Sequence, residues 1–179
     1  MRIAVFCGAS SPTDPRILDA GRALGRLCAQ RSIGLVYGGA SIGLMGAIAD
    51  ACLGAGGEVI GVMPQVLIDA EVGHRGLTRL EVVPDLHTRK ARMAALADGF
   101  AVLPGGLGTL DELFDILTWR TLSLHHKPIA LLDTEHFWQP LLALMGHLVQ
   151  QGLVKPANAA LLLQCPTPDA LVEALTRGG

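Results

Sequence analysis

Short runs rich in β-branched and aliphatic residues alternate with longer amphipathic segments along this chain. The short runs predict six strands, at residues 3–7, 33–37, 58–62, 79–83, 100–103 and 129–132. The longer segments predict helices at residues 14–31, 43–55, 85–98, 110–124, 138–150 and 169–177. Several strands are almost continuously apolar, as strands are when helices cover both faces of a parallel sheet. The pattern therefore predicts an α/β fold with a doubly wound, Rossmann-like parallel sheet and helices on both faces.

Length and composition indicate one domain that spans residues 1–179. The chain has 179 residues, half of them hydrophobic and only 17% charged, which is typical of a compact globular protein. Neither a repeat nor a linker-like stretch interrupts the alternating pattern. The net charge of −2 gives no electrostatic reason to expect binding to nucleic acid or to an anionic membrane.

The cysteines and the first residues bear on cellular location. Cys7, Cys28, Cys52 and Cys165 are widely spaced, form no CxxC pair and lie in apolar stretches, which favours buried thiols in a reducing compartment. The apolar run near Met1 is too short for a signal peptide or a membrane span. We therefore expect a cytoplasmic protein.

Three glycine-containing loops follow predicted strands, at the sheet edge where such folds bind ligands. Their sequences are CGASSP, YGGASIGLMG and LPGGLGTLDE. In the third, Gly105, Gly106 and Gly108 allow a ligand to approach the backbone closely, and a helix N-terminus follows whose free amides favour phosphate. The loop is neither a Walker A motif, because no Gly-Lys-Ser/Thr follows, nor a GxGxxG fingerprint. It predicts a loop that holds a phosphate.

Glu112 has two compatible interpretations. The run from Thr109 to Glu112 has the T-x-x-E spacing of a capping box, in which the glutamate returns to the cap amide. The same position also presents a carboxylate at the mouth of the predicted phosphate site.

Two adjacent cations open the helix that begins near Leu86. Arg89 and Lys90 lie in its first turn, where the helix dipole disfavours positive charge, and beside its apolar face. A solvated pair is one explanation. A phosphate or carboxylate partner explains the placement better. The histidines show no metal-binding spacing, and no GxSxG motif supports a serine hydrolase.

The Arg-Lys pair followed by PGGxGTxxE resembles the LOG family of cytokinin riboside 5′-monophosphate phosphoribohydrolases, whose members are often labelled lysine decarboxylases. The pattern is carried here by Arg89, Lys90 and the run from Pro104 to Glu112. CGASSPTDP, YGGASIGLMG and HHKPIALLD resemble other segments of the family, so the similarity covers nearly the whole chain. One departure is Ala40, where many members have a third glycine.

The resemblance implies hydrolysis of the N-glycosidic bond of adenosine 5′-monophosphate or its N6-modified forms, with cytokinin activation as one role. It implies that Arg89 and Glu112 are catalytic. The substrate-binding positions that it implies are Glu71, Lys90, Gly105, Gly106, Leu107, Gly108, Thr109, Leu110, Asp111 and Thr118. It also implies a small-molecule nucleotide substrate, no metal or organic cofactor, and a homodimer with contact surfaces at residues 86–97 and 119–124.

Two other functions stay open beside this one. A lysine decarboxylase would need a lysine that forms a Schiff base with pyridoxal phosphate. Only Lys90, Lys127 and Lys155 are available, and the last two each precede a proline in a loop, which argues against that activity. A non-catalytic carrier of a nucleotide or of molybdenum cofactor on the same fold would need the phosphate loop but not the Arg89 and Glu112 pair.

Overall fold

The computed structural model describes residues 1–69 and 73–177, and a parallel sheet of seven strands forms its centre. The strands are β1 (Arg2–Phe6), β2 (Gly34–Tyr37), β3 (Val59–Pro64), β4 (Arg79–Val83), β5 (Gly99–Val102), β6 (Ile129–Leu132) and β7 (Leu162–Cys165). Their order across the sheet is β4-β3-β2-β1-β5-β6-β7, and every neighbouring pair is parallel.

Helices connect the strands and cover both faces of the sheet. They are α1 (Pro15–Gln30), α2 (Gly43–Gly54), α3 (Gln65–Asp69), α4 (Leu86–Leu96), α5 (Leu107–Thr121), α6 (Gln139–Gln150), α7 (Pro156–Ala159) and α8 (Pro168–Thr176), with a short 3-10 helix at Thr134–His136. Side chains of α1, α2 and α8 form the core on one face, and those of α4, α5 and α6 form the core on the other. The predicted doubly wound fold is confirmed.

Strand β1 shows why the strands are apolar throughout. Ile3 and Val5 point into the core under α1 and α2, whereas Ala4 and Phe6 point into the core under α4 and α5. Since successive side chains of a strand alternate between faces, a strand covered on both sides has no position for a polar residue. Each fully buried aliphatic side chain contributes about 1.5–3 kcal/mol to folding.

Four elements were not predicted from the sequence pattern: β7, α3, α7 and the 3-10 helix. β7 is the edge strand beyond β6, and its two middle residues, Leu163 and Gln164, are exposed. It therefore lacks the continuous apolar run that marks the central strands. The helices α3 and α7 span only five and four residues, too few to show helical periodicity.

The four cysteines are free and buried, as predicted. Across the described ranges, no helix combines the length and the apolar character that crossing a bilayer requires.

The chain reverses direction across the sheet at β1. From β1 it builds outward through β2 and β3 to β4, then returns to place β5 on the other side of β1. Helix α1, which follows β1, and helix α5, which follows β5, lie on opposite faces of the sheet, so a crevice opens at the carboxyl ends of β1 and β5. Doubly wound folds bind their ligands in such a crevice.

Candidate active site

A cleft of about 470 Å³ lies at the carboxyl ends of β1 and β5. Its walls are residues 7–12 after β1, the side chains of Arg89, Glu112 and Phe137, and five residues that follow β5: Pro104, Gly105, Gly106, Gly108 and Thr109. Two of the three loops singled out from the sequence therefore meet here, and the third contributes Leu44 and Met45 from the start of α2.

The loop after β5 packs against the loop after β1. The Gly8 amide donates a hydrogen bond to the Pro104 carbonyl, with 3.2 Å between nitrogen and oxygen. A β-carbon on Gly105 would lie 2.8 Å from the Gly8 nitrogen and would overlap the Thr109 side chain. Only glycine at position 105 allows the two loops to lie this close.

The N-terminus of α5 opens into the cleft. Gly106 is the N-cap, and no side chain from the described part of the protein caps this helix end. The first backbone amides of α5 therefore point at the cleft and donate to no capping side chain. The helix dipole adds partial positive charge at the same place. This end of the cleft suits an anion such as a phosphate.

The capping box predicted for Thr109 and Glu112 is wrong. Helix α5 begins at Leu107, three residues before the predicted start, so Thr109 and Glu112 both lie inside the helix. The glycines at 105 and 106 allow the helix to start at the loop itself. This shift frees the Glu112 carboxylate for another partner.

That partner is Arg89, the first cation of α4. Its Nη2 atom lies 3.0 Å from Glu112 Oε1, and both side chains are buried, with 12% and 5% of their surfaces exposed. The Arg89 Nε atom also donates a hydrogen bond of 3.2 Å to the Val62 carbonyl at the end of β3. The contact between Arg89 Nη2 and Glu112 Oε1 is an ion pair, but its angle is poor for a hydrogen bond. Glu112 Oε1 therefore accepts no hydrogen bond from the described residues. A buried carboxylate oxygen in this state can accept a hydrogen bond from a ligand.

Burial raises the pKa of Glu112 from its ordinary value of 4.5 to about 7. The positive charges of Arg89 and Lys90 oppose this shift, and the negative charge of Asp111 adds to it. Near neutral pH the carboxyl group is thus balanced between its two forms, as a general base or acid must be. Burial also raises the pKa of the neighbouring Cys7 thiol, which keeps that side chain neutral.

Lys90 points away from the cleft, toward the outer side of α5. Its Nζ atom lies 2.9 Å from an Asp111 carboxylate oxygen and 2.5 Å from Asp115. Burial disfavours the charge of Lys90, but hydrogen bonds to Asp115 and Asp111 outweigh that effect and raise its pKa. A carboxylate partner thus explains this buried cation, and Lys90 is not among the residues that line the cleft.

The residue positions implied by the resemblance fall into three groups. Arg89, Glu112 and the positions Gly105, Gly106, Gly108 and Thr109 line the cleft together. Leu107 is 86% exposed, Leu110 packs on the core, Asp111 pairs with Lys90, and Thr118 lines a separate cavity between α5 and α6. Glu71 lies outside the described residues. The substrate-binding roles of all these residues stay predictions.

Comparison with known proteins identifies the family. A family model described as "Possible lysine decarboxylase" matches residues 45–175. The cytokinin riboside 5′-monophosphate phosphoribohydrolase of Rhodococcoides fascians is 41% identical over 174 residues, which cover 97% of this chain and 88% of the relative. The chain belongs to the LOG family. An Arabidopsis thaliana protein of the same name, LOG1, is also 41% identical, over 97% of this chain and 82% of its own length.

Solved structures share the fold of this LOG-family protein. The molybdenum cofactor binding protein of Rippkaea orientalis superposes with a TM-score of 0.75 at 21% identity, over 98% of this chain and 95% of that one. The Moco carrier protein of Chlamydomonas reinhardtii gives a TM-score of 0.74 at 20% identity, over 98% and 95%. At this level of identity the likeness concerns the fold alone.

Phe137 also lines the cleft of this LOG-family protein, and the sequence motifs did not point to it. Phe137 follows β6, next to β5 in the sheet, so its position beyond the carboxyl end of a neighbouring strand was the available signal. Its ring packs edge-on against Trp138, with the ring centroids 4.9 Å apart. The segment is fixed by the buried carboxylate of Asp133, which accepts a hydrogen bond of 2.7 Å from the Trp138 amide.

Proposed function

We propose that this LOG-family protein hydrolyses the N-glycosidic bond of adenosine 5′-monophosphate or an N6-modified derivative, yielding the free base and ribose 5-phosphate. The buried ion pair between Arg89 and Glu112, beside the open N-terminus of α5, is the observation that carries the proposal. The names of the relatives at 41% identity support the substrate class. Release of an N6-modified adenine would correspond to cytokinin activation.

The arrangement suits the charge changes of this reaction. Cleavage of the bond between C1′ and the base nitrogen develops positive charge on the ribose, and the ionised carboxylate of Glu112 stabilises that charge. A water molecule adds to C1′, and Glu112 takes its proton, which a pKa of about 7 makes favourable near neutral pH. The base nitrogen that leaves C1′ takes up one proton. The nucleotide and one water molecule thus give the free base and ribose 5-phosphate, with no net gain or loss of protons.

Arg89 acts in this proposal as a fixed donor. A guanidinium group carries five N–H donors and no acceptor, so it can orient the substrate and donate a hydrogen bond to the departing base. Its second contact, to the Val62 carbonyl, fixes its side chain before a substrate arrives. The amides at the start of α5 would hold the 5′-phosphate, and that remote binding energy would position the ribose.

The lysines of this chain do not suit the decarboxylase activity that the family description names. Lys90 is held by Asp111 and Asp115, and Lys127 donates a hydrogen bond of 2.7 Å to the Ala94 carbonyl. Lys155 lines the separate cavity between α5 and α6. All three lysines of the sequence are described, and none lines the cleft, so no amine is available there for a Schiff base.

Base release measured by HPLC tests the proposal. Adenosine, guanosine and cytidine 5′-monophosphates and isopentenyladenosine 5′-monophosphate are compared side by side with purified protein. We expect adenine-type bases to be released, and Glu112→Ala to bind adenosine 5′-monophosphate with little turnover. Binding without any base release over hours at micromolar protein would refute hydrolysis and favour a carrier. The matched control is Glu173→Ala on the exposed side of α8, which should keep full activity.

We further propose a homodimer. Leu86, Leu122 and Leu124 are 53%, 65% and 70% exposed, and they lie at the two surfaces suggested by the family resemblance. Large exposed apolar side chains of this kind are typical of protein interfaces. Light scattering at working concentration should give twice the 18.8 kDa chain mass, and a mass of one chain would contradict the proposal.

A cytoplasmic location is part of the same proposal. It is supported by the four free, buried thiols, which suit a reducing compartment. Recovery of the protein in a non-cytoplasmic fraction of its host would contradict it.

A further inference from the structure

Gly38 lies directly after β2, under the guanidinium group of Arg89. A β-carbon at this position would overlap Arg89 Nη2, the atom paired with Glu112, and would lie 3.2 Å from Arg89 Cζ. The same β-carbon would be 3.4 Å from the Met45 side chain, an ordinary contact. A side chain at position 38 and the observed position of Arg89 therefore exclude each other.

The backbone at Gly38 does not itself require glycine. The glycines with positive φ are 39, 43, 56 and 152 among the described residues, so Gly38 has a conformation that other amino acids adopt. The reason for glycine at this position is the space that Arg89 occupies.

The loop that carries Gly38 cannot easily move away from an added side chain. The Tyr37 hydroxyl donates a hydrogen bond of 3.1 Å to the Ala40 carbonyl, and the His74 amide donates one of 2.8 Å to the Gly39 carbonyl. Both bonds fix the backbone just after Gly38, and strand β2 fixes the backbone just before it. Arg89 is instead a long side chain whose far end can rotate, so it is the group that would give way.

We propose that Gly38 is a positioning residue for the reaction, which leaves open the space that holds the Arg89 guanidinium beside Glu112. This inference rests on the proposed hydrolase function for its effect on rate. The effect of Gly38 on the ion pair between Arg89 and Glu112 does not depend on the hydrolase function. An alanine at position 38 displaces the guanidinium from Glu112 and leaves the fold in place.

The test is a double-mutant cycle between Gly38→Ala and Arg89→Ala. We expect Gly38→Ala to lower kcat for base release about 10²-fold, as a misplacement of roughly 1 Å in an active site does. In the Arg89→Ala background, where nothing remains to be displaced, the same change should alter kcat by less than about twofold. Gly146→Ala in α6 is the control, because its added carbon contacts nothing within 4 Å, and it should behave as the wild type.

A second readout does not need activity. Titration of the Glu112 carboxyl carbon by ¹³C NMR reports on the groups that face it: the charges of Arg89 and Lys90 from α4 and of Asp111 from α5, and the neutral thiol of Cys7 directly after β1. Arg89 lowers the pKa of Glu112, so its displacement in Gly38→Ala should raise that pKa above the wild-type value, whereas Gly146→Ala should leave it unchanged.

The inference would be overturned by an equal loss of kcat in both backgrounds, by wild-type activity in Gly38→Ala, or by an unchanged Glu112 titration. If wild-type protein releases no base, the proposed function fails and the titration alone decides. If Gly38→Ala fails to fold but the double variant Gly38→Ala/Arg89→Ala folds, the steric conflict of the added β-carbon is with Arg89, as the inference states. If both fail to fold, Gly38 serves the fold and the inference is wrong.

Discussion

Replacing Glu112 by glutamine removes a titrating group that is costly to bury, so the change should alter how stability depends on pH. The carboxyl group is 5% exposed, and its pKa is about 7 in the folded protein against an ordinary value of 4.5. Between these two values the folded state holds a proton that the unfolded state has released. The free energy of unfolding therefore decreases as pH rises through this window.

The size of the effect follows from the interval between the two pKa values. One pKa unit corresponds to about 1.4 kcal/mol, so the interval from 4.5 to about 7 corresponds to about 3 kcal/mol. Glutamine does not titrate, and it leaves Arg89 without a counter-charge at every pH. The stability of Glu112→Gln relative to wild type should therefore rise by about 3 kcal/mol from pH 4 to pH 8.5.

Urea denaturation followed by circular dichroism measures this difference at a series of pH values, with both proteins in the same buffers. Taking the difference cancels the titration of the other carboxyl groups, which both proteins share. A difference that stays constant with pH would show that burial does not raise the pKa of Glu112. A relative stability that falls with rising pH would mean that Arg89 dominates over burial and lowers it.

Three further changes test the neighbouring interactions. The rate constant kcat/KM for base release should rise with pH through about 7 as Glu112 ionises, and a profile flat from pH 5 to 9 would contradict its role as a base. Lys90→Met should lower stability by roughly 1–3 kcal/mol because Asp111 and Asp115 lose their shared cation, and adding Asp115→Asn should restore part of the loss. Asp133→Ala should cost about 2–4 kcal/mol because three donors lose one buried acceptor, and an unchanged melting temperature would refute this.

The sheet could be predicted from the sequence because its central strands are buried on both faces. Each of β1, β2, β5 and β6 is a short apolar run, and a hydrophobic pattern identifies such runs directly. Edge strand β7 could not be found in this way, since its middle residues face solvent. Strand order was also not predicted, because pairing depends on contacts between residues far apart in the chain.

The site was predicted in part. The glycine loop and the cations of α4 were found because each is unusual in its local context: glycines beside a helix start, and positive charge at the wrong end of a helix dipole. The partners of those cations could not be found, since Arg89 and Lys90 meet Glu112 and Asp111 only when the fold brings the side chains of α4 and α5 together. The capping-box spacing at Thr109 was misleading because the glycine turn lets α5 start earlier.

Three ion pairs join two consecutive residues of α4 to α5: Arg89 pairs with Glu112, and Lys90 pairs with Asp111 and Asp115. The two ion pairs of Lys90 stabilise the position of Arg89, since neither helix can slide along the other without breaking all three pairs. The distance between Arg89 and Glu112 is thus set during folding and not by the arrival of a substrate. Any adjustment to nucleobases of different size must then come from walls of the cleft other than this pair.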